Sequence, residues 1–146
     1  MFAPDGSLTH QVRAGQVPIV GAGTSVFSFL HTRDAAKAVC AALDHGEPGI
    51  FNIVDDDPVE LRRWLPELAG LVSAPGPKRV PGVLARLFVG SWGVAYMTRL
   101  RGASNRRPRE VLSWEPGYAS WRQGFEHELS SPHPTQGEML RPAPAA

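Results

Sequence analysis

The chain has very little cysteine and no long apolar run. Its single cysteine, Cys40, cannot form a disulfide within the chain and lies among small apolar residues, so we expect it to be buried. The most apolar stretch, residues 87–97, is too short to span a bilayer, and the first residues do not follow the pattern of a secretory signal. These features predict a cytoplasmic protein with no membrane partner.

The chain also has almost no excess of charge of either sign. The 146 residues include 15 basic and 14 acidic side chains, giving a formal net charge of +1, and the two signs are mixed along the chain. This balance predicts no basic face for nucleic acid. The 42% hydrophobic content suffices for one core of ordinary size.

The first half of the chain alternates between extended and helical patterns. Short apolar runs at 18–20 and 26–30 predict two strands around a turn, and apolar spacing over 34–43 predicts a helix capped by Thr32. The run at 49–54 reads as a buried strand. A strand, a helix and a strand in this order suggest a parallel crossover.

The second half is mostly helical by its apolar spacing. Asp57 gives an acceptable start signal for the first of these helices, and Gly90 and Gly93 should interrupt the second. The polar, proline-containing tail at 130–146 is expected to be disordered. Helices are expected at 58–72, 83–100, 108–114 and 120–129.

Several blocks in combination point to a known family. Residues 18–23, 28–36, 49–55 and 112–116, with a small polar loop at 101–105, resemble the C-terminal half of an extended short-chain dehydrogenase/reductase of the NAD(P)-dependent epimerase/dehydratase family. The resemblance covers residues 1–129. It implies an α/β fold, comprising the terminal part of a Rossmann-like parallel sheet and a mostly helical substrate-binding lobe.

The glycine turn does not have the full dinucleotide-binding pattern. Gly21 and Gly23 follow a short strand, but Val26 stands where a third glycine belongs and no helix begins there. A structural turn is the better interpretation. The family uses NAD or NADP, and we expect no cofactor on this chain alone.

The catalytic pair of the family has no counterpart among the tyrosines. The family pairs a tyrosine with a lysine four residues later, whereas Tyr96 is followed at that spacing by Leu100 and Tyr118 by Arg122. We therefore assign no catalytic residue. The chain alone is predicted to be inactive.

The resemblance does suggest substrate-contacting residues. The closing loop of the family can line the substrate pocket, which makes Arg99, Arg101, Ser104 and Asn105 candidates. A surface arginine cluster is equally consistent with this stretch. His31 is expected to be a packed, hydrogen-bonded residue near the substrate cleft rather than a proton carrier.

Two further observations limit the substrate and metal alternatives. Ser28 occupies the place where nucleotide-sugar members carry a diphosphate-binding arginine, which disfavours a nucleotide-sugar substrate. The acidic run 55–57 matches no Ca²⁺ loop and reads as a solvated turn, so no metal site is predicted.

Three functions remain open. The first is the substrate-binding part of an NAD(P)-dependent epimerase, dehydratase or reductase acting on a small molecule. The second is a non-enzymatic remnant or interaction module that docks its strand edge on a separate N-terminal half, or forms a homo-oligomer. The third is a complete small enzyme built on the arginine loop and His31.

Overall fold

A computed structural model of the chain describes residues 7–46 and 48–130, and the expected disordered tail lies almost entirely outside them. In chain order the elements are α1 (Ser7–Arg13), β1 (Ile19–Val20), β2 (Val26–Phe27), α2 (Thr32–His45), β3 (Val59–Glu60), α3 (Leu61–Leu71), β4 (Arg79–Val80), α4 (Gly82–Arg99), α5 (Arg106–Leu112) and α6 (Trp121–Ser130). The predicted α/β class with a predominance of helix is confirmed.

The strands form two small sheets. β1 pairs in parallel with β4, with Ile19 opposite Arg79, and β2 pairs antiparallel with β3, with Phe27 opposite Val59. The parallel pairing therefore joins the glycine-turn strand to the segment before α4. The expected crossover around α2 is not formed, because the strand after α2 pairs antiparallel.

The predicted strand at 49–54 is wrong for the described part of the chain, where no segment pairs with it. Ile50 is 85% exposed rather than buried. Apolar sequence signals a segment that can be buried in a sheet, but strand formation also needs a partner backbone.

Helix α2 begins one residue earlier than the predicted cap at Thr32 implied. Its N-cap is His31, whose ring accepts a bond from the N–H of Arg33, and not Thr32 as expected. Gly46 ends the helix with φ at +73°, a conformation that glycine adopts without steric cost. Cys40 is exposed, contrary to prediction, because the buried face of this helix carries Asp34 and Ala38.

The main core surrounds α3. This helix begins at Leu61 and not near Asp57, because residues 59 and 60 are drawn into the pairing with β2. Its buried face contacts α1 and α6. The buried members of this core are Val12, Ile19, Val59, Leu61, Trp64, Leu65, Leu68, Ala69, Trp121 and Phe125.

A second, smaller cluster joins α2 to α5. Ala38 packs there with Leu112 and Trp114. The indole N–H of Trp114 donates to the backbone oxygen of Asp34 at 3.2 Å. This bond fixes the turn after α5 against the first turn of α2.

Helix α4 is broken at Gly90, as expected, with φ at +70° and ψ at 178°. Its outer surface exposes large apolar side chains, including Phe88 and Trp92. No helix among residues 7–46 and 48–130 has both the length and the apolar character needed to cross a membrane.

Candidate substrate cleft

The loop after α4, residues 100–103, is hydrogen-bonded to β2 and to the serine that precedes it. Val26 donates its N–H to the oxygen of Leu100 at 2.9 Å. The hydroxyl of Ser25 accepts from the N–H of Leu100 at 3.1 Å and donates to the oxygen of Tyr96 at 2.9 Å. The serine thereby ties the end of α4 and the start of the loop to one strand.

A second attachment follows immediately. The Ser28 hydroxyl accepts from the N–H of Ala103 at 2.8 Å. Between the two attachments, Gly102 has φ at +75°, and a Cβ there would lie 3.0 Å from a methyl group of Val26 and 3.2 Å from Cβ of Pro58. The close approach of the loop to β2 therefore requires glycine.

Beside this loop lies an aromatic cavity of about 350 Å³ between α1, β2, α3 and α4. Its walls include Phe27, Phe29, Trp64 and Tyr96. The Phe27 ring centroid lies 5.3 Å from that of Trp64 and 5.6 Å from that of Tyr96, both edge to face. These contacts hold the rings in fixed orientations.

A second cavity, of about 300 Å³, shares Phe27, Ser28 and Tyr96 with the aromatic cavity and extends to Arg101. We call the two cavities together the Tyr96 cleft. Arg99 lines an adjoining depression beside Trp92. The cleft therefore joins an aromatic interior to a basic end.

The arginines near this cleft differ in their partners. Arg106 and Arg109 each form an ion pair at 2.6 Å with a carboxylate. In the part of the chain that the structure describes, Arg99 and Arg101 have no such partner. Arg101 is thus a fixed loop residue with an uncompensated charge, which suits an anionic ligand.

The sequence reinforces this local charge. The stretch between Glu67 and Glu110 contains several arginines and one lysine but no acidic residue. The net charge of the whole chain, which is close to zero, does not reflect this uneven distribution of acidic and basic residues. Of the basic residues in this stretch, Arg101 lines the Tyr96 cleft and Arg99 lines the adjoining depression.

Two other predicted site residues support the loop rather than line the cleft. The Ser104 hydroxyl accepts from the N–H of Arg106 at 3.3 Å. The buried Asn105 amide donates to the oxygen of Val54 at 3.0 Å and to a carboxylate oxygen of Asp56 at 2.6 Å. Asn105 therefore anchors the turn after residues 49–54.

His31 lies in the packing around α6, apart from the residues that line the Tyr96 cleft. Its Nδ1 accepts from the N–H of Arg33 at 3.2 Å, and its Nε2 lies 2.6 Å from Glu128 Oε1. The ring stacks on Tyr118 at a centroid distance of 4.1 Å. The structure shows the packed, hydrogen-bonded side chain that the sequence predicted, while the expected contact of His31 with substrate stays a prediction.

The environment of His31 also bears on metal binding. Ligand atoms of His31, His127 and Glu128 all lie within 4.8 Å of one another. An Nδ1 that accepts a bond carries no proton, so neutral His31 carries its proton on Nε2 and donates to Glu128. A metal on Nε2 would require the proton to move to Nδ1 and would break the helix cap. The arrangement fits a hydrogen bond better than a metal ligand.

Asp55 is a polar residue whose burial the sequence did not reveal. It is 5% exposed, and burial is the main cause that raises its pKa to about 7. The N–H of Asp57 bonds one carboxylate oxygen at 3.4 Å, while the other has no partner among the described residues. The only available signal was its position directly after an apolar run.

Gly23, in the glycine turn after β1, is closely packed by its neighbours. A Cβ on Gly23 would lie 2.6 Å from a methyl carbon of Ile19 and 2.9 Å from Cβ of Arg62. The close approach of Ile19 and Arg62 therefore requires glycine at position 23.

Comparison with known proteins supports the family resemblance of the sequence blocks. Residues 6–54 match the model of the NAD dependent epimerase/dehydratase family. The chain is related to that family, as its sequence blocks predicted. It is 38% identical over 127 residues to 3-diazoavenalumate denitrifying reductase from a Streptomyces species, covering 87% of this chain and 42% of the relative. The chain thus spans about two fifths of that relative's length.

Solved structures show the same fold. A functionally unknown conserved protein from Silicibacter pomeroyi is 27% identical, with a TM-score of 0.64, over 77% of this chain and 40% of that one. A human epimerase family protein solved with NADPH is 15% identical, with a TM-score of 0.69, over 88% of this chain and 45% of that one. The predicted likeness to Rossmann-like epimerases is confirmed at the level of fold.

Proposed function

We propose that this chain provides the substrate-binding lobe of an NAD(P)-dependent reductase or epimerase-like enzyme. The observation that carries the proposal is Arg101, which has no carboxylate partner among the described residues and lies on a loop hydrogen-bonded to β2 beside a cleft. Such attachment holds a binding side chain in place before the ligand arrives. The name of the Streptomyces relative supports reductase chemistry.

Hydride and proton transfer are assigned to residues outside this chain. Neither Tyr96 nor Tyr118 has the lysine partner of the family, and the turn at Gly23 is filled by neighbouring side chains. NAD or NADP accordingly belongs to the complete enzyme. We expect this chain alone neither to bind the cofactor nor to catalyse a reaction.

A second role, docking on a separate N-terminal half or on another copy, is favoured by one specific surface. Residues 49–54 are mostly apolar and lie beside a groove of about 370 Å³ lined by Val39, Ala42, Phe51 and Leu112. A paired strand from a partner would satisfy the backbone of this segment and cover the groove. This docking role is compatible with the substrate-lobe role.

The proposed division of labour is tested by reconstitution. The purified chain is titrated with NADPH alone and then mixed with the N-terminal portion of the Streptomyces reductase. We expect no saturable binding at micromolar NADPH by the chain alone, and NADPH oxidation only in the mixture containing the relative's substrate. Saturable binding, or turnover, by the chain alone would disprove the assignment.

A further inference from the structure

The chemistry of the Tyr96 cleft also indicates its ligand. We propose that the cleft binds a planar aromatic carboxylate, with the aromatic ring in the aromatic cavity and the carboxylate at Arg101. This proposal rests on the substrate-lobe function and names its substrate class. It follows from three properties of the cleft: few polar groups, fixed rings, and one unpaired cation.

The polar groups are too few for a sugar. Apart from Trp64 and Tyr96, the polar side chains that line the aromatic cavity are those of Gln11 and Ser28. The Ser28 hydroxyl is already bonded to Ala103. A sugar ring would leave several hydroxyls without partners after losing their water, which is costly.

The rings of the cavity suit a flat apolar ligand. Phe27 meets both Trp64 and Tyr96 edge to face, and Trp92 stacks on Tyr96 at 5.6 Å with an angle of 13° between the rings. Tyr96 is thus held between two other rings. A planar aromatic group gains both apolar burial and favourable ring contacts in such a site.

Trp64 contributes an apolar wall to the aromatic cavity. It lines the cavity but is only 2% exposed, and its indole nitrogen is fully enclosed by the protein. A ligand in the cavity therefore meets the hydrocarbon part of this ring, which favours a flat apolar group.

The anionic end is assigned to Arg101. This guanidinium lines the second cavity, which meets the aromatic cavity at Phe27, Ser28 and Tyr96. A carboxylate attached to the ring by a short chain could therefore reach Arg101 while the ring stays between the aromatic walls. Bonds between arginine and carboxylate are among the stronger ones in proteins.

The test compares three probes by calorimetry on the full chain: 4-hydroxycinnamate, its neutral alcohol 4-hydroxycinnamyl alcohol, and UDP-glucose. We expect 4-hydroxycinnamate to bind most tightly. Arg101→Ala should weaken it about tenfold, as expected for loss of one charge-assisted bond, and leave the alcohol unchanged. Tyr96→Leu should weaken both aromatic probes.

Arg107→Ala is the matched control, because this arginine lies over Phe51, outside the cleft, and should leave all affinities unchanged. Tighter, Arg101-dependent binding of UDP-glucose would overturn the aromatic class while leaving the substrate lobe intact. Binding of no probe, or equal weakening by both arginine variants, would overturn the ligand assignment. NADPH binding by the chain alone would instead contradict the proposed function.

Discussion

Two polar regions of this molecule use their charged groups in opposite ways. Around the start of α2, Asp34 is 1% exposed and its two carboxylate oxygens accept backbone bonds from Gly117 and Tyr118 at 2.9 and 3.0 Å. At the loop after α4, Arg101 has no carboxylate partner in the described chain and lines an open cleft. The polar groups of the first region stabilise the fold, whereas in the second region we propose that Arg101 binds a ligand.

This contrast in the use of charged groups indicates which residues of the family motifs should be tested for function. The block at 28–36 is diagnostic in sequence, yet His31 and Asp34 are engaged in capping and turn bonds. The less distinctive loop at 100–103 carries the available charge. We therefore expect substitutions in the α2 region to reduce stability and those at the loop to reduce binding.

The largest expected effect is at Trp114, which is 3% exposed and bonded to the Asp34 backbone. Trp114→Ala should lower the free energy of unfolding by about 3–5 kcal/mol, as for other buried aromatic truncations. Urea unfolding measures the loss. Trp92→Ala is the control, because Trp92 is 79% exposed and should cost far less. Equal losses would mean that the second core cluster contributes little.

Asp34→Asn should come next. The amide keeps the volume but weakens two charge-assisted bonds, each of which typically contributes about 1.5–3 kcal/mol. We expect a lower urea midpoint, whereas Asp44→Asn, on the exposed end of the same helix, should have little effect. A midpoint unchanged by Asp34→Asn would show that the bonds to Gly117 and Tyr118 do not hold the turn.

Gly102→Ala tests the attachment of the loop. Alanine at φ of +75° is strained by about 1–2 kcal/mol, and its Cβ would also press on Val26 and Pro58. Gly46→Ala is a matched control, since Gly46 has a similar φ of +73° and a Cβ there would have no described atom within 4 Å. We expect Gly102→Ala to lose more stability than Gly46→Ala and also to weaken ligand binding. Equal losses in thermal melts would argue against close contact.

Asp55 should make stability depend on pH. Its pKa is raised from 3.8 to about 7 in the folded chain, mainly by burial, so folding favours the protonated form. This stabilisation is fully present below the unfolded pKa and is lost as the pH rises through about 7. The free energy of unfolding should therefore fall between about pH 4 and pH 7, and less steeply in Asp55→Asn. If the free energy of unfolding changed with pH equally in the two proteins, the pH dependence could not be assigned to Asp55.

The sequence predicted what depends on local pattern. The helices around α2, α3 and α6 and the break at Gly90 were found because apolar spacing and glycine act within a few residues. The short strands β3 and β4 were missed because their pairing partners lie far away in sequence. The same limit explains the wrong strand at 49–54.

The candidate site was predictable only in part. The family loop pointed to both Arg101 and Asn105. That Asn105 supports the loop, unlike Arg101, became clear only from its bonds to Val54 and Asp56. The aromatic cavity was not foreseen, because Phe27, Trp64 and Tyr96 belong to three different elements. Burial of Asp55 likewise depends on the packing around Phe29 and α6.

The most direct test of the account measures stability and affinity together in Arg101→Ala. An exposed loop substitution should change the free energy of unfolding by less than about 0.5 kcal/mol. In the same preparation, the affinity for 4-hydroxycinnamate should fall about tenfold, as expected when one charge-assisted bond is lost. Unchanged affinity at unchanged stability would remove Arg101 from the cleft's function and contradict the central claim.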